Sequence, residues 1–410
     1  MSALADRIRG IVRAPATPDA HIADTSHIPH PESQKLTSLN GEWRDGCFVV
    51  ERAWNPAETL GRDAIGTYAE CLDEACAAAP LFAPGAGVPF VFFDLETTGL
   101  SGGAGTLAFL VGCGSFRADG GFTTRQFLLT KHADERPLLA TVHGDLSAAG
   151  AMVSFNGKSF DAPLLESRFA FHRLNRTIAE RPHLDALHPA RQFWGNAGGA
   201  DCSLVCLERR LLGVRRVGDV DGFEVPARYF QFLRSGDARP LEAVLAHNRL
   251  DLLTLAALTA RLLRLARMGP EQARDAREAI ALGRVYARAG EDGRAREAFE
   301  RAVEMSAESE DEASAIDALR GLAIVLRRAR EHHDAAVCWR RLIEMDECPP
   351  AIAREAAEAL AIHHEHRVRD LVAAKSFALK SLERERTPRW AEGVRYRVAR
   401  IERKLSGRLL

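Results

Sequence analysis

The most informative stretch of this chain is an apolar run that ends in two carboxylates. Residues 91–93 are β-branched or aromatic and follow turn-forming residues 85–88, which predicts a buried β-strand. Because side chains alternate faces along a strand, Asp94 and Glu96 should point the same way from its end. Such carboxylates repel each other unless a cation lies between them, and Mg²⁺ or Mn²⁺ suits oxygen ligands. The alternative is an ordinary acidic turn after a core strand.

Two later segments supply further ionisable side chains. A short strand at 152–157 runs into a helix whose first turn contains Asp161, where an Asp commonly serves only to favour the positive helix N-terminus. A long Ala/Leu-rich helix at 241–268 contains His247 and Asp251, which lie four residues apart and therefore share a face. A surface His–Asp pair is the alternative, and we predict that the other polar positions of this helix are solvated.

The order of these groups along the chain resembles the DEDD exonuclease superfamily. Its D-x-E-T-T-G motif matches Asp94 and Glu96, and its second motif matches Asp161. Its third motif matches His247 with Asp251. Members have a ribonuclease-H-like fold and remove nucleotides from 3′ ends, so the resemblance implies a site for two divalent ions, Mg²⁺ or Mn²⁺. In the His-containing branch the His stands five residues before the last Asp, whereas here it stands four before, where the other branch carries Tyr.

The resemblance extends beyond these motifs and covers roughly residues 45 to 380. Segments 183–191 and 201–229 and a helical tail are similar to the YprB-type branch, also called MrfB-type. This branch implies a 3′→5′ exonuclease that acts on single-stranded or 3′-ended DNA, in DNA repair. It also implies a partner helicase that supplies the single strands.

The resemblance also implies roles for individual residues. Asp94 would bridge both ions, and Glu96 and Asp251 would each complete one coordination shell. Asp161 would act directly or through water, and His247 would take the proton from the attacking water, since an imidazole has its pKa near the working pH. The residues expected to bind the terminal nucleotide follow the two strands: Thr97, Thr98, Leu100, Asn156 and Lys158.

Composition and length indicate a protein of two or three domains without a membrane span. The chain has 410 residues and a formal net charge of −1, so any basic surface must be local. The eight cysteines lack metal-type spacing, which favours reduced thiols. The start of the chain lacks the apolar core of a signal peptide, and no apolar run has the length of a membrane span. We therefore expect a cytoplasmic protein.

Three regions are predicted along the chain. Residues 1–40 are rich in Pro, His, Ser and Thr without periodicity and are expected to be mostly disordered. Residues 41–268 are predicted to form an α/β ribonuclease-H-like domain, a mixed sheet flanked by helices, with 41–87 as its N-terminal extension. The predicted elements are strands at 47–52, 88–94, 107–116 and 122–129 and a helix at 63–78. Residues 271–410 are predicted to be all helical.

The helical region repeats itself with a period of forty residues. The recurring residues are Leu282, Ala295, Phe299 and Met305, followed by Leu322, Ala335, Trp339 and Met345. A third copy is expected around Leu360, Ala374 and Leu379. The pattern resembles tetratricopeptide-type helical hairpins, whose usual period is about 34, so we expect long loops at 306–312 and 346–350. An unrelated helical bundle is the alternative.

The C-terminal end is basic, with aromatic residues interleaved. Arg395, Arg397 and Arg400 are expected to contact substrate, near Trp390 and Tyr396. Basic and aromatic side chains together serve to bind single strands, although a solvated helix face explains the same charges.

Three functions fit these patterns. The leading hypothesis is a metal-dependent 3′→5′ exonuclease acting on DNA. The second is an RNA-trimming enzyme, because the sequence has no feature that decides the sugar. The third is a helical-repeat adaptor with an inactive nuclease-like domain, which the retained acids disfavour.

Overall fold

The computed structural model describes residues 36–99, 105–174, 180–195, 202–382 and 388–407, with only the backbone of residues 37 and 388–390. The predicted N-terminal disorder therefore lies outside the described residues up to 35. Leu36 and Leu39 are buried in the core. Arg52 also donates hydrogen bonds to the carbonyls of Leu39 and Asn40. The packed chain thus begins before residue 41, where we had placed its start.

Most strands of the described chain belong to one mixed sheet, in the order β1-β2-β7-β6-β5-β8-β9. The strands are β1 (Glu42–Arg44), β2 (Cys47–Trp54), β5 (Phe90–Thr97), β6 (Ala108–Phe116), β7 (Phe122–Leu128), β8 (Ala151–Ser154) and β9 (His183–Asp185), while β3 (Thr59–Leu60) and β4 (Asp63–Ala64) form a separate ribbon. β5 pairs antiparallel with β6 and parallel with β8. β2 pairs with β7, so the predicted N-terminal extension completes the sheet itself. The predicted mixed sheet is confirmed.

Helices cover the sheet and lead out of it. They are α1 (Ile65–Ala75), α2 (Glu135–Ser147), α3 (Asp161–Phe171), α4 (Leu187–Trp194), α5 (Leu204–Leu207), α6 (Val225–Ser235) and the 30-residue α7 (Arg239–Met268). The predicted helix at 63–78 is shorter, and a 3₁₀ segment (Cys76–Leu81) follows it. α3 is tied to α2 by Arg168, which pairs with the buried Glu135 at 2.5 Å. This pair fixes the helix whose first residue is Asp161.

The core is shared between the sheet and the helical region. α7 packs against β5 and β6 with its first half. Most residues of its second half, including Leu255, Leu258 and Leu262, are buried. One continuous apolar cluster runs from Phe92 through this half into the helical region as far as Leu360. The division between 41–268 and 271–410 stays a prediction, and the packing crosses it.

The helical region is a row of helices in which each packs on the next. They are α8 (Ala276–Ala289), α9 (Asp292–Glu308), α10 (Glu312–Arg328), α11 (His332–Glu344), α12 (Pro350–His363), α13 (Leu371–Leu382) and α14 (Pro388–Ser406). Phe299 and Trp339 occupy equivalent, buried places in α9 and α11. The long loop predicted at 306–312 is wrong, because only residues 309–311 separate two 17-residue helices. The third copy is irregular, since Leu379 is exposed.

The state of the cysteines and the hydropathy of the helices can be compared with two further predictions, reduced thiols and no membrane span. All eight cysteines are free thiols, and Cys47, Cys113, Cys338 and Cys348 are buried. Burial raises the pKa of the Cys47 thiol to about 12. Within the described ranges, none of the helices combines the length and apolar character needed to cross a bilayer.

One buried carboxylate anchors the basic C-terminal helix. Glu365 follows α12, and its side chain is buried. It accepts hydrogen bonds from Arg400 at 2.7 and 2.9 Å and from Lys404 at 2.8 Å, and Arg397 lies 3.4 Å away. Burial raises the pKa of Glu365, but the hydrogen bonds from Arg400 and Lys404 and the charges of Arg400 and His366 lower it to about 2. Arg397 and Arg400, which we expected at the substrate, are thus engaged inside the helical region.

Glu365→Ala should lower the free energy of unfolding by about 3 kcal/mol, because three cationic side chains lose a buried partner. Urea denaturation followed by circular dichroism measures the loss. Glu402→Ala is the matched control, since it removes an exposed pair between α14 and Lys375 of α13 and should cost less than about 1 kcal/mol. Equal small losses in both variants would show that Glu365 does not anchor α14.

Candidate active site

The sheet and α7 bring the carboxylates together. Asp94 and Glu96 lie on the same face of β5, which confirms the alternation that the sequence indicates. Asp161 begins α3, and Asp251 lies on the half of α7 that packs on β5. The negative charges of Glu96, Asp161 and Asp251 all act on Asp94. The structure therefore gathers the four predicted acids in one place.

Burial makes this cluster costly to ionise. It raises the pKa of Glu96 to about 8 and that of Asp161 to about 7. The pKa of Asp94 lies well above its usual value, first through burial and then through repulsion by Asp251, Glu96 and Asp161. The pKa of Asp251 is raised by burial, although His247 and Arg216 partly offset the rise. Buried carboxylates that repel one another bind protons more readily, and a nearby cation stabilises their charged form.

Asn248 holds Asp94 in place. This asparagine is fully buried, and its side-chain amide donates to Asp94 Oδ2 at 2.8 Å. Its own oxygen accepts from Gln126 Nε2 at 2.8 Å. A Cβ at Gly112 would come within 2.2 Å of that oxygen, so the glycine permits the close approach of α7. Our prediction that the other polar positions of this helix are solvated is wrong at Asn248. The sequence offered one signal for its role, because Asn248 lies three residues before Asp251 and therefore near the same face of α7.

Arg216 supplies a cation next to the cluster. Its side chain is only 5% exposed and hydrogen-bonds both Asp251 and Glu208. Glu208 is buried and also accepts from Thr254 Oγ1 at 2.7 Å. A third contact joins Arg216 to Asp219 at 3.0 Å. Sequence reasoning missed these residues because contacts between a loop and a distant helix leave no periodic signal.

His247 lies between two carboxylates. Its Nδ1 is 2.7 Å from Asp219 Oδ1, and its Nε2 is 3.4 Å from Asp251 Oδ2. Burial lowers the pKa of His247, but Asp251, Asp219 and Glu96 outweigh burial, so the pKa is raised. With Nδ1–H donating to Asp219, Nε2 is the nitrogen that remains available for a proton. Spacing of four in the sequence therefore places the imidazole beside Asp251.

The turn before Asp161 is held by Asp185. This buried carboxylate accepts from the backbone N–H of Asn156 at 2.7 Å and of Lys158 at 3.0 Å. Asn156 adopts a left-handed backbone (φ 69°), and Lys158 is exposed. Both predicted substrate residues thus belong to a turn whose shape Asp185 sets. Asp185 itself carried no predicted role.

The loop after β5 is closed by its threonines. Thr97 Oγ1 donates to the Gly99 carbonyl, and Thr98 Oγ1 accepts from the Leu107 N–H, both at 3.0 Å. Leu100 lies outside the described residues. The predicted contacts of these residues with a nucleotide stay predictions, as do those of Arg395, Arg397 and Arg400.

The donor set fits divalent ions such as Mg²⁺ or Mn²⁺. Four mutually repelling carboxylates supply the oxygen ligands that these ions take. Asp251 is turned toward Arg216 and His247. In the part of the chain that the structure describes, no three His, Cys, Asp or Glu side chains converge closely enough, as they stand, to hold an ion. Metal binding therefore stays a proposal that rests on the chemistry of the donors.

Comparison with known proteins agrees with this geometry. Residues 91–263 match the family model of the RNase_H superfamily, a range that runs from β5 into α7 and contains all four carboxylates. The chain is 31% identical over 323 residues to YprB of Bacillus subtilis (strain 168), an uncharacterized protein. The match covers 77% of this chain and 75% of YprB. These findings confirm the ribonuclease-H-like fold, and such a domain supports a nuclease that binds nucleic acid.

The raised pKa values predict how stability of the metal-free protein depends on pH. Glu96 holds its proton up to about pH 8 when folded but only to about 4.3 when unfolded. Stability from this group is therefore present at low pH and lost as the pH rises through that window. Melting temperatures in chelator at pH 6 and 8 measure the loss, and Glu96→Gln should shrink the difference. An identical difference in the variant would contradict the raised pKa.

Proposed function

Because this chain belongs to the family of YprB, we propose that it is a metal-dependent 3′→5′ exonuclease that hydrolyses phosphodiester bonds of DNA. One observation carries the proposal: Asp94, Glu96, Asp161 and Asp251 are gathered, half-buried, beside a histidine. An inactive adaptor would have no reason to concentrate repelling carboxylates. The cluster therefore favours catalysis over a purely structural role.

The residues of the site divide the chemical work. Asp94, Glu96, Asp161 and Asp251 would hold two ions, Mg²⁺ or Mn²⁺. When bound, these ions would lower the charge on the scissile phosphate and its leaving oxygen. His247 accepts the proton of the attacking water at Nε2, while Asp219 keeps the other ring nitrogen protonated. Asn248 orients Asp94.

The substrate and setting form the finer part of the proposal. The family resemblance favours single-stranded or 3′-ended DNA, a role in DNA repair and a partner helicase that exposes the strand. RNA is the alternative substrate, because discrimination of the 2′-OH depends on the shape of the pocket.

We expect hydrolysis of end-labelled oligonucleotides to stop in chelator and to recover with Mg²⁺ or Mn²⁺ but not Ca²⁺. Asp94→Asn and Asp251→Asn should abolish turnover, since each removes a charged oxygen donor. DNA and RNA substrates labelled at either end also determine the sugar and the direction. Asp119→Asn, in the exposed turn between β6 and β7, is the matched control. Full activity of either site variant would exclude the two-ion site, and no hydrolysis of any substrate would support the adaptor.

His247→Ala should lower kcat about 10²- to 10⁴-fold, the usual share of acid–base catalysis. The wild-type rate should fall as the pH drops through the pKa of His247, because protonated imidazole accepts no proton. Since the spacing is that of the Tyr branch, His247→Tyr should keep part of the activity. Steady-state kinetics across pH measure these effects, with the exposed His132→Ala as the control. A loss in kcat below about threefold for His247→Ala would show that His247 is not the general base.

A further inference from the structure

A basic groove lies between α8 and α10, against the end of α4. It has a volume of about 540 Å³, and its wall carries four arginines and one aspartate. Arg284 and Arg288 lie four apart on α8, and Arg320 and Arg328 lie eight apart on α10, so each pair shares a helix face. Among the residues that line the groove, arginines outnumber acids, whereas the whole chain has a net charge of −1.

The groove arginines are held by weak, exposed partners. The side-chain partners are Asp317 for Arg284, Glu355 for Arg320, Asp292 for Arg328 and the neutral Gln192 for Arg288. Arg288 and Arg328 also donate to the backbone carbonyls of Arg284 and Ala287, respectively. The charged pairs are solvent-exposed, with Arg284 47% and Asp317 45% exposed. Exposed pairs contribute little to stability and are screened by salt. A polyanion can therefore replace these partners at small cost.

The floor of the groove is apolar. Ala287 and Ile324 line it, and Phe299 lies buried beneath. Gly321 lets α10 pack closely on this ring, because a Cβ there would lie 2.3 Å from the Phe299 ring. Arginine rims over an apolar floor match a ligand that has both phosphates and flat bases, as single-stranded nucleic acid does. An acidic peptide would match the rims alone.

α4 connects the groove to the active site. The helix begins two residues after Asp185, which holds the turn before Asp161, and Gln192 near its other end lines the groove. Leu187, the first residue of α4, and Gln192 are about 8 Å apart along the helix axis. The end of α4 is fastened to α8, since Trp194 Nε1 donates to the buried Glu278 at 2.9 Å. The groove and the carboxylates are therefore held in a fixed relation.

We propose that this groove binds the part of the substrate strand that lies away from the end being hydrolysed. The proposal rests on the proposed nuclease function and adds a second, distant contact with a single-stranded nucleic acid. It also moves the predicted basic surface from α14, where Arg397 and Arg400 pair with Glu365, to α8 and α10.

The test replaces Arg284, Arg288, Arg320 and Arg328 together by Gln. Binding of fluorescein-labelled single-stranded DNA of about 30 and about 5 nucleotides is followed by anisotropy in chelator, so that no hydrolysis is needed. Loss of four phosphate contacts should flatten the slope of log K against log salt by roughly 3, with long DNA bound at least about tenfold more weakly. Binding of the short DNA should not change.

The matched control replaces four other ion-paired and at least partly exposed arginines, Arg44, Arg239, Arg296 and Arg301, by Gln. It has the same charge change and should bind like the wild type. Unchanged affinity and salt slope in the groove variant, or equal losses in the control, would overturn the proposal. Poly-glutamate that competes as well as DNA would also overturn it, because the floor would then play no part. If the protein hydrolyses DNA but the groove variant binds like the wild type, the proposal for the groove fails and the proposed function stands. If the groove binds DNA but no hydrolysis occurs, the proposed function fails and the proposal for the groove stands.

Discussion

The repulsion among four carboxylates at the end of β5 is the constraint on which the rest of this structure depends. Burial alone raises their pKa values, and their mutual proximity adds to the effect. The fold answers with neutral and cationic neighbours: Asn248 donates to Asp94, and Arg216 pairs with Asp251. A buried carboxylate, Glu208, in turn holds Arg216. These neighbours offset the repulsion only in part, because the pKa values of Asp94 and Asp251 remain raised.

Local periodicity predicted the parts of the site that lie on one element. The period of two placed Asp94 and Glu96 on one face, and the four-residue spacing placed His247 beside Asp251. β5 runs to Thr97, beyond its predicted end, because pairing with β6 outweighs the low strand propensity of acidic residues. Asn248 was misjudged as solvated, since only the approach of α7 to Gly112 decides its burial. Contacts between elements distant in sequence leave no such pattern.

The helical region shows the same limit. α9 and α11 begin forty residues apart, as the sequence period predicts, yet the period does not say where the residues beyond the usual 34 lie. At α9 and α10 they extend the helices and not the loop between them. Between α11 and α12 residues 345–349 form a connection close to the one predicted at 346–350. Likewise, the basic composition of α14 indicated a free cationic surface, but a single buried Glu365 engages Arg400 and Lys404. Charge patterns along a helix cannot reveal an acid that packs from another element.

The 30-residue α7 has a consequence for how such a protein can evolve. Its first half carries His247 and Asp251, and its second half lies in the apolar cluster that continues into α8 and beyond. Recombination after Met268 would expose the buried leucines and alanines of α7, the helix that also carries His247 and Asp251. The two regions therefore do not behave as exchangeable modules. New repeats can be added at the far end, near α14, more easily than the first repeat can be replaced.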